Sequence, residues 1–333
     1  MEAVHQKFIC GFVPPYILEA IAGSDSVPEE SRAACQHTLE HTHSYTKHRH
    51  ELSSNANVSP TSAGKGFIPE YILQAIADPK ETFLETQKAD KQAPLKKDEL
   101  NVHYKPRDTP AGYNNAYWDG VKNQMVFGDG DHISFDYLTD SLDVIAHELS
   151  HGFVQYSSPL EYESQSGALN ESCADVFGSM VEQWHMRQTA EDADWILGQT
   201  IFPVAFTGSA LRSLKAGKAY TDDPVFGTDP QPKHMDQLYT GSEDYGGVHI
   251  NSGIPSHAFY LAAKSLGGNS WEKAGKVWYK TMISGKIPLR CDFKTFANVT
   301  VETAGKEFPD ASVGDAIRDA WVKVGVLSKS AST

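Results

Sequence analysis

The sequence predicts an α+β protein in which a short strand-forming region is followed by a larger, mostly helical region. Two observations predict this order. Between Asn101 and Phe127, runs of β-branched and aromatic residues are separated by an Asp-Gly turn and by polar residues. From Asp143 onwards, apolar residues instead recur at the three- and four-residue spacing that places them on one face of a helix.

An internal repeat precedes both regions. Residues 11–22 return as residues 66–77 with 9 of 12 positions identical, and a proline near the start of each copy predicts two similar short helices. Between the copies, a histidine-rich tract and the polar residues 53–64 favour a linker or cleavage region. The tract is interpreted as a solvated surface rather than a metal site, and its histidines are His37, His41, His43, His48 and His50.

Strands are expected at residues 102–104 and within residues 117–127. The periodic pattern then predicts helices at residues 143–156, 165–186, 252–267, 270–284, 293–306 and 311–325.

Composition excludes several classes of function. The 333 residues carry a net charge of -14, which disfavours nucleic-acid binding because phosphates require a positive surface. No apolar run of about 18 residues is present, so no membrane partner is expected. The first residues lack a secretory signal, and the four cysteines are scattered. A cytoplasmic location is therefore the default expectation, with secretion by an unconventional route as the alternative.

The helix predicted at residues 143–156 contains the pattern H-E-x-x-H. Its helical spacing places the imidazoles of His147 and His151 on one face, with Cβ atoms about 6 Å apart, where both rings can bind one metal ion. Glu148 then lies beside the open coordination position and can accept a proton from water. Nitrogen and carboxylate ligands in a tetrahedral arrangement favour zinc.

The next predicted helix supplies the remaining ligand. Glu171 offers a third, carboxylate ligand, and Asp175, one turn further, can hold a ligand histidine through its second ring nitrogen. The metzincin pattern is excluded because Val154 and Ser157 stand where it requires glycine and a third histidine.

These two motifs resemble those of thermolysin-like zinc metallopeptidases. Residues 113–118, 210–214 and 244–253 agree with the same family in order and spacing, so the resemblance covers residues 101–326. It implies a two-lobed zincin in which residues 101–157 form an abbreviated, strand-containing N-terminal catalytic lobe with the active-site helix. Residues 158–333 would form a helical C-terminal catalytic lobe.

The resemblance also implies roles for individual residues. One zinc ion would be held by His147, His151 and Glu171, with Glu148 as the base. His249 and Tyr162 would stabilise the oxyanion, and Asp244 would orient His249 while Asp175 orients a ligand.

Substrate contacts follow from the same resemblance. Arg212 would hold a backbone carbonyl of the substrate, and the strand containing Asn115, Ala116 and Trp118 would bind an extended peptide. A pocket for a bulky apolar residue after the cleaved bond would be lined by Phe135, Leu138, Val144, Leu197 and Leu211.

The resemblance also bears on whether the chain binds structural calcium. Asp143, Glu182 and Asp194 fall at carboxylate positions that bind structural calcium in the family, but Ile196 and Gln199 replace acids of a double site. A double calcium site is not expected, and a single one is left open.

Residues 1–55 resemble the short N-terminal propeptide of protealysin-like members, with residues 56–100 as a linker that contains the second repeat copy. We expect this propeptide to inhibit its own chain by laying its Pro14-Pro15 segment in the cleft, because proline is a poor residue to cleave beside. An alternative places the thiolate of Cys10 on the zinc.

The predicted function is that of a neutral zinc endopeptidase made as a zymogen, with proteins or peptides as substrates. The alternative is an inactive zinc-binding homologue that only binds peptides or proteins, which the short N-terminal lobe favours. An aminopeptidase is disfavoured because no device for capturing a free amine is evident.

Overall fold

A computed structural model describes residues 9–55, 100–106, 112–120, 122–203 and 210–328. Its N-terminal part consists of strand β1 (Ile9–Gly11), helix α1 (Pro15–Gly23) and helix α2 (Glu29–Asn55). Proline at the first position of α1 favours helix initiation, and Ile17, Leu18 and Ile21 are buried. The helix predicted from the first repeat copy is confirmed, whereas residues 66–77 lie outside the described residues.

The prediction of a linker in the histidine-rich tract is wrong as far as Asn55, because α2 runs through it for 27 residues. Glu29 and Glu30 in the first turn interact favourably with the helix dipole. Within residues 29–42, the buried face of α2 consists mainly of small and polar side chains, which weakens the hydrophobic periodicity that reveals helices in sequences. That face comprises Ser31, Ala34, Cys35, Thr38 and Leu39.

A four-stranded sheet has the order β1-β3-β4-β2, in which β2 is Leu100–Tyr104, β3 is Ala116–Asp119 and β4 is Gln124–Gly128. Strands β3 and β4 form the predicted hairpin, and β2 pairs with β4 in parallel. Strand β1, which the sequence did not predict, pairs antiparallel with β3. The N-terminal segment therefore supplies an edge strand next to β3.

Helix α3 (Leu142–Ser157) packs on helix α4 (Ser164–Met186) and on β3. The indole of Trp118 donates a hydrogen bond from Nε1 to Gln155 Oε1 over 3.0 Å, which ties β3 to α3. A small antiparallel pair follows, formed by β5 (Ile196–Leu197) and β6 (Arg212–Ser213).

Later in the described residues five α-helices follow, of which the first, at residues 243–251, is not among the predicted helices. The elements are α5 (Glu243–Asn251), α6 (Gly253–Leu266), α7 (Lys276–Met282), α8 (Phe293–Glu307) and α9 (Ala311–Lys323). A π-helical turn, Trp271–Gly275, divides the helix predicted at residues 270–284. Trp278 and Trp321 stack in the core at a ring separation of 5.9 Å. The α+β prediction is confirmed, and no helix within the described ranges is long and apolar enough to cross a membrane.

Candidate active site

Helices α3 and α4 bring three predicted metal ligands together in the buried interior. The Nε2 atoms of His147 and His151 lie 2.9 Å apart. Glu171 places Oε2 3.6 Å from His147 Nε2 and Oε1 3.7 Å from His151 Nε2. Ligand atoms about 2.0–2.1 Å from a tetrahedral zinc ion lie roughly 3.3 Å from one another, so these separations fit such an ion.

The polar contacts of the two rings determine which nitrogens face the centre. Nδ1 of His147 lies 2.8 Å from Asp175 Oδ1, and Nδ1 of His151 lies 2.9 Å from Asn170 Oδ1. Both Nδ1 atoms therefore face oxygen atoms outside the centre, which leaves the Nε2 atoms directed inward. Burial also lowers the pKa of His151 to about 3, which keeps its ring neutral.

Glu171 completes a centre that requires a cation. Burial alone would raise the pKa of its carboxyl, but the neighbouring His249, His151 and His147 lower it below its usual value. Its Oε2 atom is buried and has no hydrogen-bond partner among the described residues. Two inward lone pairs and a carboxylate with an unpartnered oxygen are the donor set that zinc accepts.

Glu148 lies beside this centre in a fully buried position. Neither carboxylate oxygen has a hydrogen-bond partner of ordinary geometry among the described residues, although the amides of Trp118 and Phe12 face it. Burial, followed by the charge of Glu171, raises the pKa of Glu148 well above its usual value. The side chain is therefore well placed to exchange a proton.

Asp175 links a predicted ligand to a buried arginine. Its two carboxylate oxygens accept hydrogen bonds of 2.8 Å from Arg212 Nε and Nη2. Burial opposes ionisation, but Arg212 and then His147 lower the pKa of Asp175. The guanidinium is 1% exposed, so this bidentate pair compensates for its buried charge.

His249 is oriented by an unusual turn at the start of α5. Four consecutive residues, 244–247, have positive φ angles between 50° and 81°, a left-handed turn that two glycines make accessible. The turn places Asp244 Oδ1 2.7 Å from His249 Nδ1. Burial lowers the pKa of His249, but Asp244 and Glu171 outweigh it and raise the pKa to about 9. Both ring nitrogens then act as donors.

Tyr162 completes the polar wall of the site. Its hydroxyl donates to Glu171 Oε1 and lies 3.4 Å from His249 Nε2. Both residues that the sequence predicts as oxyanion donors are thus adjacent to the predicted metal ligands.

The N-terminal segment occupies the cleft in an extended conformation. Gly11 places its carbonyl oxygen 3.0 Å from His249 Nε2, and the carbonyl oxygen of Phe12 accepts a 2.6 Å hydrogen bond from Arg212 Nη1. The ring of Phe12 is fully buried, with its centroid 5.0 Å from that of His147. Gly11, Phe12 and Val13, rather than Pro14 and Pro15, are therefore the residues that lie against the site.

The predicted substrate-binding strand contacts this segment directly. Asn115 Oδ1 accepts from Val13 N over 2.8 Å, and Asn115 Nδ2 donates to Val13 O over 3.1 Å. The carbonyl oxygen of Ala116 accepts from Phe12 N over 3.0 Å. Trp118 pairs through its main chain with Cys10, whose side chain lies outside the description. The alternative of a Cys10 thiolate ligand stays untested.

The predicted pocket residues and Phe12 are all completely buried in the same apolar cluster. Close to the ring lies Gly198, where a Cβ atom would be 2.9 Å from Phe12 Cε1 and 3.4 Å from Leu211 Cδ1. The fully buried residues of the predicted pocket are Phe135, Leu138, Val144, Leu197 and Leu211.

The predicted calcium carboxylates form no second metal cluster in the described part of the chain. Asp143 Oδ1 accepts from Ser141 Oγ and Val144 N, and its Oδ2 accepts from Gly198 N over 2.7 Å. Burial, then Asp143 and Asp194, raises the pKa of Glu182 to about 7. Hydrogen bonds to protein donors already engage both oxygens of Asp143.

Sequence reasoning missed three residues of the site. Asn170 contacts the ring of His151, and its position directly before Glu171 could have indicated this role. Gln231 donates from Nε2 to the His249 carbonyl over 2.8 Å, and no sequence pattern indicates this long-range contact. In the sequence, Phe12 stands out only as a member of the internal repeat, which does not indicate a role in the site.

A helix-borne pair of histidines, a glutamate from the next helix and a sheet edge that holds an extended peptide define the zincin class of metallopeptidases. Models of the thermolysin metallopeptidase family match residues 81–155 with the catalytic domain and residues 158–326 with the alpha-helical domain. The chain belongs to the thermolysin metallopeptidase family. It is a zinc-dependent endopeptidase.

Individual relatives agree with this assignment. The chain is 39% identical over 346 residues to an extracellular metalloprotease of Pectobacterium carotovorum subsp. carotovorum, covering 96% of each chain. It is 39% identical over 357 residues to protease PrtS of Photorhabdus sp., covering 96% of this chain and 92% of the relative. The solved precursor of protealysin from Serratia proteamaculans aligns with a TM-score of 0.73 and 36% identity, covering 96% and 100% of the two chains.

These comparisons correct one expectation. The prediction of a cytoplasmic location is wrong, because a relative that matches along nearly the whole chain is named an extracellular metalloprotease, which points to an extracellular location. The same comparisons confirm the zymogen prediction through the precursor structure, and they offer no support for an inactive homologue.

Proposed function

We propose that residues 9–55 inhibit the zinc endopeptidase of their own chain, and that its cleft favours peptide bonds followed by a bulky apolar residue. The observation that carries the proposal is the position of Gly11 and Phe12. Gly11 directs its carbonyl oxygen to His249, while the ring of Phe12 fills a buried apolar pocket. A substrate with its scissile carbonyl at the place of Gly11 would put its next side chain in the same pocket.

The binding of such a substrate is explained by the contacts of the N-terminal segment. Asn115 and Ala116 hydrogen-bond the extended backbone on one side, and Arg212 holds the carbonyl that follows the scissile bond. Main-chain pairing with a strand edge gives affinity without requiring a particular sequence, whereas the pocket provides the preference.

The metal would be held by His147, His151 and Glu171. Zinc bound there supplies a Lewis acid that polarises the scissile carbonyl and lowers the pKa of water. Glu148 accepts the proton of the attacking water and transfers it to the leaving amine, a role worth about 10²–10⁴-fold in rate.

The developing negative charge on the carbonyl oxygen is stabilised by His249 and Tyr162. Asp244 holds the His249 ring in place over 2.7 Å and favours its charged form. Each donor of this kind contributes about 10²–10³-fold to the rate in enzymes that cleave acyl bonds.

The proposal is tested with three zinc-loaded samples, which are the wild-type chain, the Glu148→Gln variant and a mixture of the two. Over time, we expect wild type to release an N-terminal fragment and to gain activity on quenched peptides, whereas Glu148→Gln alone does neither. Processed enzyme should cleave a Gly-Phe peptide about 100-fold faster than the matched Gly-Asp peptide, because an apolar pocket penalises a buried charge.

Three results would contradict separate parts of the proposal. Equal rates on the two peptides would remove the pocket assignment. An unchanged activity after fragment release would remove the inhibitory role of residues 9–55. The catalytic role of Glu148 would be wrong if its glutamine variant, with equal zinc content by mass spectrometry, turned over at the wild-type rate.

A further inference from the structure

The docked residues 11–22 divide into positions that the cleft constrains and positions that it leaves free. Gly11 is constrained because a Cβ atom there would lie 2.6 Å from Asn115 Nδ2. Pro15 is only half-buried, and Glu19 is exposed. The positions that are at most 1% exposed are Phe12, Val13, Ile17, Leu18 and Ile21.

The second repeat copy preserves the constrained positions except Val13, which an isoleucine replaces. Gly66 and Phe67 correspond to Gly11 and Phe12, and the apolar residues of the helix face are identical. Because Gly-Phe precedes the helix, the requirements of helix formation do not explain why this dipeptide is repeated. Contact with the cleft does explain it.

The three differences between the copies are compatible with docking at the same place. Ile68 replaces Val13 and adds one methylene to an apolar side chain. Glu70 replaces half-buried Pro15 at the first position of α1, where the helix dipole favours an acidic residue. Gln74 replaces the exposed Glu19. Two of the three substitutions thus fall where the first copy is half-buried or exposed, and the third keeps an apolar side chain at a buried position.

The chain is long enough for the second copy to reach the cleft of its own molecule. The 22 residues 78–99 connect it to β2, which lies in the same sheet as β3. At about 3.3 Å per residue, this connection spans up to roughly 70 Å. A tether of this length also gives the segment an effective concentration in the millimolar range.

We propose that residues 66–77 are a second intramolecular ligand of the cleft, which replaces residues 11–22 once the N-terminal unit has been removed. The inference rests on the proposed function, since it uses the same cleft as a peptide-binding site. A chain cut between residues 55 and 66 would remain inhibited. Full activity would require a second cut after residue 77, so that activation would need two cleavages instead of one.

Full-length, zinc-loaded variants test the proposal through peptide hydrolysis. Phe12→Asp ejects the first copy and leaves the second intact, whereas a chain with both Phe12→Asp and Phe67→Asp has neither. We expect the double variant to be at least about tenfold faster than Phe12→Asp alone, given millimolar competition from a tethered ligand. The matched control, Phe12→Asp with Gln74→Ala, should behave like Phe12→Asp alone.

Equal rates for the double variant and Phe12→Asp would overturn the proposal, as would inhibition of Phe12→Asp that increases with protein concentration. Because Phe12 is fully buried, thermal melting followed by circular dichroism checks that the variants fold. Phe12→Ala with and without Phe67→Ala repeats the comparison with a milder change.

A binding measurement separates this proposal from the proposed function. A fluorescent peptide of residues 64–77 and its Phe67→Asp version are titrated with the double variant that also carries Glu148→Gln. We expect about tenfold tighter binding of the unmodified peptide, with displacement by a peptide of residues 9–22. Equal binding would overturn the proposal, whereas tight binding without hydrolysis by any chain would contradict only the proposed function.

Discussion

At the scale of single residues, the site depends on a carboxylate that serves two partners. Asp175 fixes the His147 ring through Nδ1 and also neutralises the buried guanidinium of Arg212. The orientation of one predicted ligand is therefore coupled to the residue that holds the Phe12 carbonyl. The loss of this carboxylate would affect metal binding, peptide binding and stability together.

Asp175→Asn is expected to lower the free energy of unfolding by about 3–5 kcal/mol, because Arg212 would remain buried without a counter-charge. Zinc affinity should fall about 10–100-fold, as for other residues that orient metal ligands. Urea unfolding and competition with a zinc chelator measure the two effects. Asp315→Asn, at an exposed position, is the control and should change the unfolding free energy by less than about 0.5 kcal/mol.

The acidic group around Glu182 predicts a dependence of stability on pH. The pKa of Glu182 rises from 4.5 to about 7 through burial, Asp143 and Asp194. A raised pKa means that the folded chain binds this proton more tightly than the unfolded chain. Stability is therefore lost as pH rises from 4.5 through about 7.

Glu182→Gln should consequently stabilise the protein at pH 8 by about 1 kcal/mol, a value reduced for partial exposure of the side chain. At pH 4 the variant and wild type should melt at the same temperature. Thermal melts at both pH values test this, and an equal gain at pH 4 and pH 8 would rule out the electrostatic explanation.

At the scale of elements, the success of sequence reasoning followed the strength of the hydrophobic pattern. The predicted helix at residues 165–186 agrees closely with α4, whose residues 166–180 are all buried. Helix α2 escaped prediction because Ser31, Cys35 and Thr38 supply much of its described buried face, so large apolar residues do not recur at helical spacing. Strand β1 has only three residues and depends on pairing with a distant strand.

The same distinction applies to the candidate site. His147, Glu148 and His151 lie within one helix, so their proximity follows from helical spacing alone. The pairing of Arg212 with Asp175 spans 37 positions, and the contact of Gly11 with His249 spans 238 positions. Only the tertiary fold creates such contacts. The resemblance to known peptidases therefore predicted the role of Arg212 without predicting its partner.

The packing of α3 on α4 depends on a close approach at Gly178. A Cβ atom there would lie 2.7 Å from the carbonyl oxygen of Asp143, so Gly178→Ala must separate the two helices that carry the predicted metal ligands. We expect a loss of about 1–3 kcal/mol in unfolding free energy.

Gly314→Ala in α9 is the matched control, because a Cβ atom there meets nothing within 4 Å. It should raise the unfolding free energy by about 0.5–1 kcal/mol through better helix propensity. Urea unfolding of both variants measures the difference. Similar losses at Gly178 and Gly314 would show that close helix packing is not the cause.

At the scale of the whole molecule, the N-terminal unit shares its core with the rest of the protein. Ile17 and Phe12 belong to the same buried cluster as Leu211. Polar contacts reinforce this packing, since Ser31 Oγ donates to Asp131 Oδ2 over 2.5 Å. Removal of the N-terminal unit must therefore break a buried interface as well as a peptide bond.

Ile17→Ala weakens this interface without changing a residue of the proposed catalytic machinery. Truncating a buried isoleucine costs about 2–5 kcal/mol of stability. Part of this cost weakens the docking of the N-terminal unit. We expect the full-length variant to hydrolyse a quenched peptide more than about tenfold faster than wild type, since each 1.4 kcal/mol is a factor of ten. Glu19→Ala, on the exposed face of α1, should leave the rate unchanged, and equal rates for both variants would contradict the prediction.

The position of β1 has a consequence for the newly made chain. An uncovered strand edge presents unpaired backbone groups that pair readily with other molecules and seed aggregation. While β1 is in place, the edge of β3 that faces it is covered. The segment that blocks the cleft thereby also acts as a safeguard of solubility, and chains that lose it early are expected to associate edge to edge.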